Sequence, residues 1–381
     1  MQKVFDYIEK NKDKYLDFWM DICNAEGTAE DKPSMDAVAD KIEEFARGLN
    51  IFVERVPFDT CGDFLIVDTL HTAEESGVCF LAHMDTVHKK GAFGYPPVKK
   101  EGDKLIGPGV IDCKGGVPIA LLTMMALIDS GYDKNCRLLL TSDEEVSNRF
   151  GGQKEMDVIK AAVTGFKAAF NCEVARVGEV VVSRKGILRY RMDITGKAAH
   201  AGIDYFSGVS AVREAAHKIL ALESKSVEGG ITYNSGIING GTMSNIVPER
   251  CEITIDVRVS NSEELEKAKA VLEEIANKSF VEGTKTELVL VSQRQPMLHN
   301  EDTENLFLHL KTISEKYGLG TLVPIESGGG SDSAYTQLAG VPSVCAVGAT
   351  GDFCHTINEY ADIDSLTLRA KLLAAATLEM E

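Results

Sequence analysis

No stretch of this 381-residue chain is apolar for long enough to span a bilayer. None of its nine cysteines forms a Cys-x-x-Cys pair, and their number is odd. A disulfide framework is therefore not expected, and reduced, buried thiols in a cytoplasm are. Basic residues are in deficit: Lys and Arg total 40 against 58 Asp and Glu, a formal net charge of -18. That balance argues against nucleic acid or an anionic membrane surface as a partner, and leaves metal ions open, since local ligands decide their binding. Neither a dinucleotide nor a Walker glycine loop is present, and Lys114 lacks the following Ser or Thr. A Gly-x-Ser-x-Gly elbow is also missing, so Ser331 is not expected to be a nucleophile. Repeats and low-complexity tracts are absent, and the opening Met1-Gln2-Lys3-Val4-Phe5-Asp6 reads as an amphipathic helix, not a signal sequence.

What is present begins with an apolar run at 77–81 that leads into His83-Met84-Asp85. In extended chain, residues i and i+2 point the same way, so His83 and Asp85 leave the strand end together. One can ligate a metal while the other supports its second ring nitrogen. Strands are expected at 51–57, 63–69, 77–83, 137–141, 168–172 and 342–347. Helices are expected at 4–24, 35–48, 116–130, 303–317 and 363–379. Between these halves the pattern changes to strand 187–194, helix 207–223, strands 231–238 and 251–259, helix 262–279 and strand 285–292. That β-α-β-β-α-β order is the ferredoxin-like split pattern. The expected architecture is α/β: a mixed-sheet catalytic domain (1–183 and 294–381) with an inserted α+β ferredoxin-like domain at 184–293.

His83, Asp112, Glu145, Glu173 and His355 all fall at or just beyond the ends of core strands. In an open α/β sheet, the carboxyl ends of the strands are where ligands bind. Two imidazoles and three carboxylates suit two borderline-soft divalent ions that share a carboxylate, an arrangement used to hydrolyse amides and phosphates. Carboxylates gathered without cations would repel one another. Glu144 is then left for acid/base work, provided that Glu144-Glu145 lies in the loop after its strand.

These motifs are recognisable. His83-Met84-Asp85-Thr86-Val87, Gly107-Pro108-Gly109-Val110-Ile111-Asp112-Cys113-Lys114-Gly115-Gly116 and Asp143-Glu144-Glu145 resemble the dinuclear zinc hydrolases of the aminoacylase, glutamate carboxypeptidase and succinyl-diaminopimelate desuccinylase family. The likeness continues through Lys197-Ala198-Ala199-His200-Ala201-Gly202, Thr242-Met243-Ser244-Asn245-Ile246-Val247-Pro248, Asp256-Val257-Arg258, Gly328-Gly329-Gly330-Ser331-Asp332 and His355-Thr356-Ile357-Asn358-Glu359. The Gly-rich segment and the Asn245-to-Arg258 spacing resemble the bacterial glutamate carboxypeptidases in particular.

The resemblance implies two Zn2+ per chain, with Co2+ or Mn2+ as substitutes. Asp112 would bridge them, His83 and Glu173 would complete one site, and Glu145 and His355 the other. It further implies that Asp85 orients His83, that Glu144 is the general base, and that a cis peptide joins Asp112 to Cys113. His200 would face the oxyanion. Asn245 and Arg258 would hold the substrate's carbonyl and carboxylate, and Gly328, Gly329 and Gly330 would let backbone amides approach it. The inserted domain would serve as lid and as homodimer interface. The substrate would be a small peptide or N-acyl amino acid. The competing class is a non-catalytic dimeric protein that binds metal or a small molecule on the same fold. Three departures stand out: Cys113 replaces the family's usual Met, Ser147 its usual Gly, and Val174-Ala175 its usual Pro-Thr. His71, His88, His217, His299 and His309 are read as surface or helix histidines, and Lys114, Glu179 and Asp204 as salt-bridge or surface groups.

Overall fold

A computed structural model describes residues 1–70 and 76–380. The chain divides into two compact units. The first comprises Met1–Ser183, Leu298–Glu326 and Ser331–Glu381, and the second comprises Arg184–Met297 with Ser327–Gly330.

The first unit is built on a six-stranded mixed sheet in the spatial order Phe52–Val56, Phe64–Asp68, Asn135–Thr141, Ser76–His83, Ala168–Asn171, Ser343–Val344. The first two strands form an antiparallel edge. The remaining four run parallel, with His83 opposite Thr141 and Leu81 opposite Asn171. Parallel strands end on the same side of a sheet, so residues following His83, Thr141 and Asn171 emerge side by side. Alternation separates the two faces of the sheet. Phe80, Ala82, Leu138, Leu140 and Phe170 join a core shared with helices Gln2–Asn24, Gly116–Ser130, Glu301–Tyr317 and Ser365–Leu378. Cys79, Leu81, Leu139 and Ala169 pack instead with Ile159 and Val163 of helix Gly152–Val163 and with Tyr335 of helix Ser333–Leu338. Each fully buried Leu or Phe contributes about 1.5–3 kcal/mol. Helix Gly116–Ser130 has apolar residues all round, and it is accordingly enclosed.

Caps set several boundaries that periodicity alone misplaces. Helix Lys32–Gly48 begins after Asp31, whose carboxylate accepts the Ser34 amide at 3.4 Å. Helix Glu301–Tyr317 begins after Asn300, which accepts from Thr303 at 2.9 Å. The helix expected from 207 starts at Ala211, because Ser210 caps it, and Tyr205–Ser207 form a separate 3-10 turn. The strand expected over 342–347 shrinks to Ser343–Val344, since Ala346 takes a φ of 59° that no strand tolerates. Helix Gly152–Val163 was not anticipated, although Met156, Ile159 and Val163 recur at helical spacing.

A smaller sheet in this unit runs Gly351–Asp352, Tyr360–Asp362, Lys104–Ile106, Lys99–Glu101. Pairing of Tyr360 with Ile106 sets Glu359 against Gly107, whose amide donates to the Glu359 carbonyl at 3.3 Å. The segment between Asp352 and Tyr360, which carries His355, is thereby tied to the loop that carries Asp112.

In the second unit, strands Thr232–Gly240, Arg250–Val259, Gly186–Thr195 and Lys285–Arg294 form an antiparallel sheet in that spatial order. With helices Ala211–Glu223 and Ser262–Asn277, this is the ferredoxin-like connectivity. Leu188, Tyr190, Met192 and Ile194 alternate into a core with Ile253, Ile255 and Val257. The other face carries ion pairs such as Arg191–Asp193 and Arg258–Asp256.

Close packing at one point fixes the strand end that carries Glu173. A Cβ on Gly348 would lie 2.0 Å from the Cys172 carbonyl oxygen, and one on Gly116 would lie 2.3 Å from it. Backbone must move to admit either. Gly348→Ala is therefore expected to destabilise the protein by about 1–3 kcal/mol or more. Gly48→Ala, where an added Cβ meets nothing within 4 Å, should be neutral or mildly stabilising. Urea midpoints of the two variants test this, and equal midpoints would refute it.

Candidate metal centre

Every proposed metal ligand lies in the first unit, and so do Asp85 and Glu144. His83 ends its strand with its ring buried, and Nδ1 sits 3.2 Å from both the carbonyl and the Oδ1 of Asp85. Nε2 therefore faces the other way, 3.1 Å from Asp112 Oδ1 and 3.9 Å from Glu173 Oε2. Asp85 has a second task. Its two carboxylate oxygens accept the backbone amides of Glu144 at 3.3 Å and Glu145 at 3.0 Å. One fully buried carboxylate thus aligns an imidazole and a neighbouring turn.

That turn is the 3-10 helix Glu144–Val146, which follows strand Asn135–Thr141 as the assignment of Glu144 and Glu145 required. Asp143 holds the loop by accepting the Phe150 and Gly151 amides at 2.8 Å each. Ser147 adopts a φ of 60°, the left-handed region that favours glycine. Asp112 lies between the two histidines, with Oδ1 on His83 and Oδ2 3.2 Å from His355 Nε2. His355 Nε2 is also 3.2 Å from Glu145 Oε2. The peptide between Asp112 and Cys113 is cis.

Electrostatics mark the cluster as short of positive charge. Hydrogen bonds to Asp112 and Glu145 push His355 up to about 11. Burial and the nearby Asp112 push Glu145 up to about 7. Burial works against a charge on His83, yet Cys113, Asp112 and Asp85 still hold it well above its ordinary value. Burial would raise Asp112 too, but hydrogen bonds from His355 and His83 keep it below the usual carboxylate range. Protons on imidazoles are balancing carboxylates that cannot all stay charged alone. Moreover, Glu145 Oε1 is buried with no hydrogen-bond partner among the described residues. An orphaned carboxylate oxygen beside two imidazoles and two further acids is a donor set that fits divalent cations.

Several neighbours depart from the sequence reading. His88, expected at the surface, is buried, with Nε2 2.6 Å from Glu359 Oε2. Glu359 Oε1 in turn accepts the amides of Ile111 at 3.1 Å and Asp112 at 3.3 Å, so this pair braces the Asp112 loop. Only the partner, 271 residues away, makes His88 significant. Lys114, expected in a salt bridge or at the surface, is wholly buried, and its Nζ has no hydrogen-bond partner among the described residues. Trp19 donates its indole N–H to the Val110 carbonyl at 2.9 Å. Other readings stand: His217 stacks on Phe280, His299 pairs with Glu304, and His309 meets the Ala376 carbonyl. His71 lies outside the described residues. Ser331 is buried against Ser333 and Cys345, unsuited to nucleophilic attack. All nine cysteines are free, and all but Cys354 are buried.

The remaining site residues belong to the second unit. His200 is exposed on the short strand Ala199–His200, paired with Ile246–Val247. Asn245 is exposed, and its carbonyl accepts the Ala201 amide at 2.9 Å. Arg258 donates to Asp256 from Nε at 2.6 Å and from Nη2 at 3.2 Å, and to the Gly328 carbonyl from Nη1 at 3.1 Å. A Cβ on Gly328 would meet nothing within 4 Å, whereas one on Gly330 would lie 2.5 Å from Arg294 Cδ. A side chain at 330 would thus have to displace the buried Arg294 side chain, and one at 328 would displace nothing.

Comparison with known proteins gives the chain's family and the proteins it resembles. The profile of Peptidase family M20/M25/M40 matches residues 79–379. Carboxypeptidase G2 of Pseudomonas sp. (strain RS-16) is 29% identical over 304 residues, spanning 79% of this chain and 73% of that protein. Among solved structures, aminopeptidase PepT of Bacillus cereus superposes with a TM-score of 0.76 at 22% identity, covering 96% of this chain and 98% of that one. The M20 family metallo-carboxypeptidase Sso-CP2 of Sulfolobus solfataricus gives 0.77 at 14% identity, covering 95% and 98%. These two likenesses concern the fold, and the profile match carries the assignment: the chain belongs to peptidase family M20/M25/M40.

Proposed function

We propose that this protein is a zinc-dependent hydrolase of an amide bond in a small peptide or N-acyl amino acid, carboxypeptidase-like in taking a substrate with a free carboxylate. The observation that carries the reading is Asp112, held between His83 at 3.1 Å and His355 at 3.2 Å, with the unpaired Glu145 Oε1 beside it. His83, Asp112 and Glu173 would hold one divalent ion, and Asp112, Glu145 and His355 the second. When bound, the ions supply Lewis acidity, which makes water a nucleophile at neutral pH and polarises the scissile carbonyl.

The chain's own residues do the rest. Asp85 fixes the His83 ring so that Nε2 faces inward, and through the Glu144 and Glu145 amides it sets the angle of the adjoining turn. Glu144 takes a proton from the attacking water and returns it to the departing amine. His200 donates to the carbonyl oxygen as negative charge develops there. Asn245 holds a substrate carbonyl. Arg258 receives the carboxylate, with Asp256 holding its guanidinium in place and the Gly328 carbonyl giving way. The second unit would act as lid and as homodimer interface. Its edge strand Thr232–Gly240 leaves Ile237 and Ile238 exposed, which supports edge-to-edge pairing with a second copy.

Three outcomes test this reading. Glu144→Gln should lower turnover by about 10²–10⁴-fold with metal content unchanged. Glu145→Gln should instead lower metal content, measured by elemental analysis, and exchanged phenotypes would reverse the two assignments.

The pH dependence of stability in chelated protein is the second. Between about 4.3, an ordinary Glu value, and about 7, folded Glu145 keeps a proton that the unfolded chain releases. His355 stabilises fully below about 6.5 and loses that contribution as pH rises toward about 11. Both slopes have one sign, so metal-free protein should melt lower at about pH 8 than at about pH 5.5. Added zinc should raise Tm more at the higher pH, where the ligands give up their protons more readily. An equal zinc effect at both would refute the reading.

For the third, inactive His200→Ala and Glu144→Gln chains are mixed under subunit exchange. Recovery of part of the activity is expected if His200 serves the partner's centre, and a mixture that stays inactive despite proven exchange would exclude it.

A further inference from the structure

The residue that follows Asp112 is cysteine, where the family the chain resembles usually has methionine. Methionine brings a thioether to this place and cysteine an ionisable thiol. The Cys113 Sγ, a His83 ring nitrogen and a Glu173 carboxylate oxygen lie within 4.8 Å of one another, on three buried side chains. A nitrogen and a sulfur on one tetrahedral zinc-type ion are about 3.5 Å apart. The sulfur and the nitrogen have at most about 1.3 Å to close to share an ion. We propose that Cys113 is itself a metal ligand, adding a thiolate to the ion that His83 and Glu173 hold, so that this chain's centre is partly sulfur-ligated.

Without a cation, burial pushes the Cys113 thiol up to about 12, so the thiolate would form only with the ion bound. The His83 backbone N–H already donates to Sγ at 3.4 Å, a contact that would steady a thiolate. The thiol donates to the Cys172 carbonyl at 3.4 Å, and because S–H is a weak donor, giving that contact up costs little. On coordination the S–H bond breaks, the proton leaves to solvent and an S–metal bond forms, with no change of oxidation state. Cys172 is next to Glu173 and Cys354 next to His355, but among the described residues neither falls within such a group of ligand atoms. A thiolate favours zinc, cobalt or cadmium over manganese at that position, so the two ions of one chain would differ in softness.

The inference rests on the metal-centre reading, and the experiment separates the two. Chelated full-length protein is titrated with Co2+ and followed by absorption and by metal content. The expected result is two bound equivalents, one of which brings a near-ultraviolet sulfur-to-cobalt charge-transfer band. Cys113→Ser should lose that band and bind one equivalent at least about tenfold more weakly. Cys172→Ser and Cys354→Ser should keep it. Should the serine variant fail to fold, Cys113→Met replaces it, and the spectrum of the unaltered chain remains decisive. Two equivalents with visible ligand-field bands but no sulfur band overturn the thiolate proposal and leave the dinuclear centre standing. A band that survives in the Cys113 variant overturns it as well, and failure to bind cobalt at all overturns both.

Discussion

Repulsion among Asp112, Glu145 and Glu173 is the constraint to which the first unit answers. Parallel strands bring their carboxyl ends together, and this chain places acids at several of those ends. Without cations the acids draw protons onto His83 and His355 and retain one on Glu145. Such an arrangement gains little for stability in itself, because charges withdrawn from water recover the cost only in good geometry. Its persistence in a well-packed unit is explained by the ions the acids would receive.

The geometry around the acids is correspondingly over-determined. Asp85 touches both an imidazole and the Glu144–Val146 turn. Glu359 links His88 to the Ile111 and Asp112 amides. Gly116 and Gly348 leave no room around the Cys172 carbonyl. These contacts tie the backbone that carries Asp112, Glu145 and Glu173, so those ligands are held by their loops as well as by side-chain packing.

Much of this was readable in the sequence, for reasons specific to each residue. His83 was legible because a short apolar run leads into it, whereas the strand ends at His83 with Asp85 in the loop beyond, so the support Asp85 gives the ring was implied by the resemblance and not by strand alternation. Asp112 and Glu145 stood out as acids in loops beyond core strands, and the resemblance implied which ion each would hold. Helix Gly152–Val163 escaped because paired glycines at its start resemble a loop. The burial of His88 escaped because it is decided by a partner far away in sequence, Glu359, and that of Lys114 because nothing in the local pattern marks it as enclosed. Helix starts at Lys32, Ala211 and Glu301 were misjudged by a few residues because capping side chains, not apolar spacing, define them.

The chain contains a single tryptophan, Trp19. Its indole N–H is bonded to the Val110 carbonyl, and a Cβ on Gly115 would lie 2.6 Å from its ring, so that ring fills the place of a side chain in the loop that bears Asp112. Indole emission depends on the field and hydrogen bonding around the ring. The protein's tryptophan fluorescence therefore comes from one buried reporter, packed against the loop that bears Asp112.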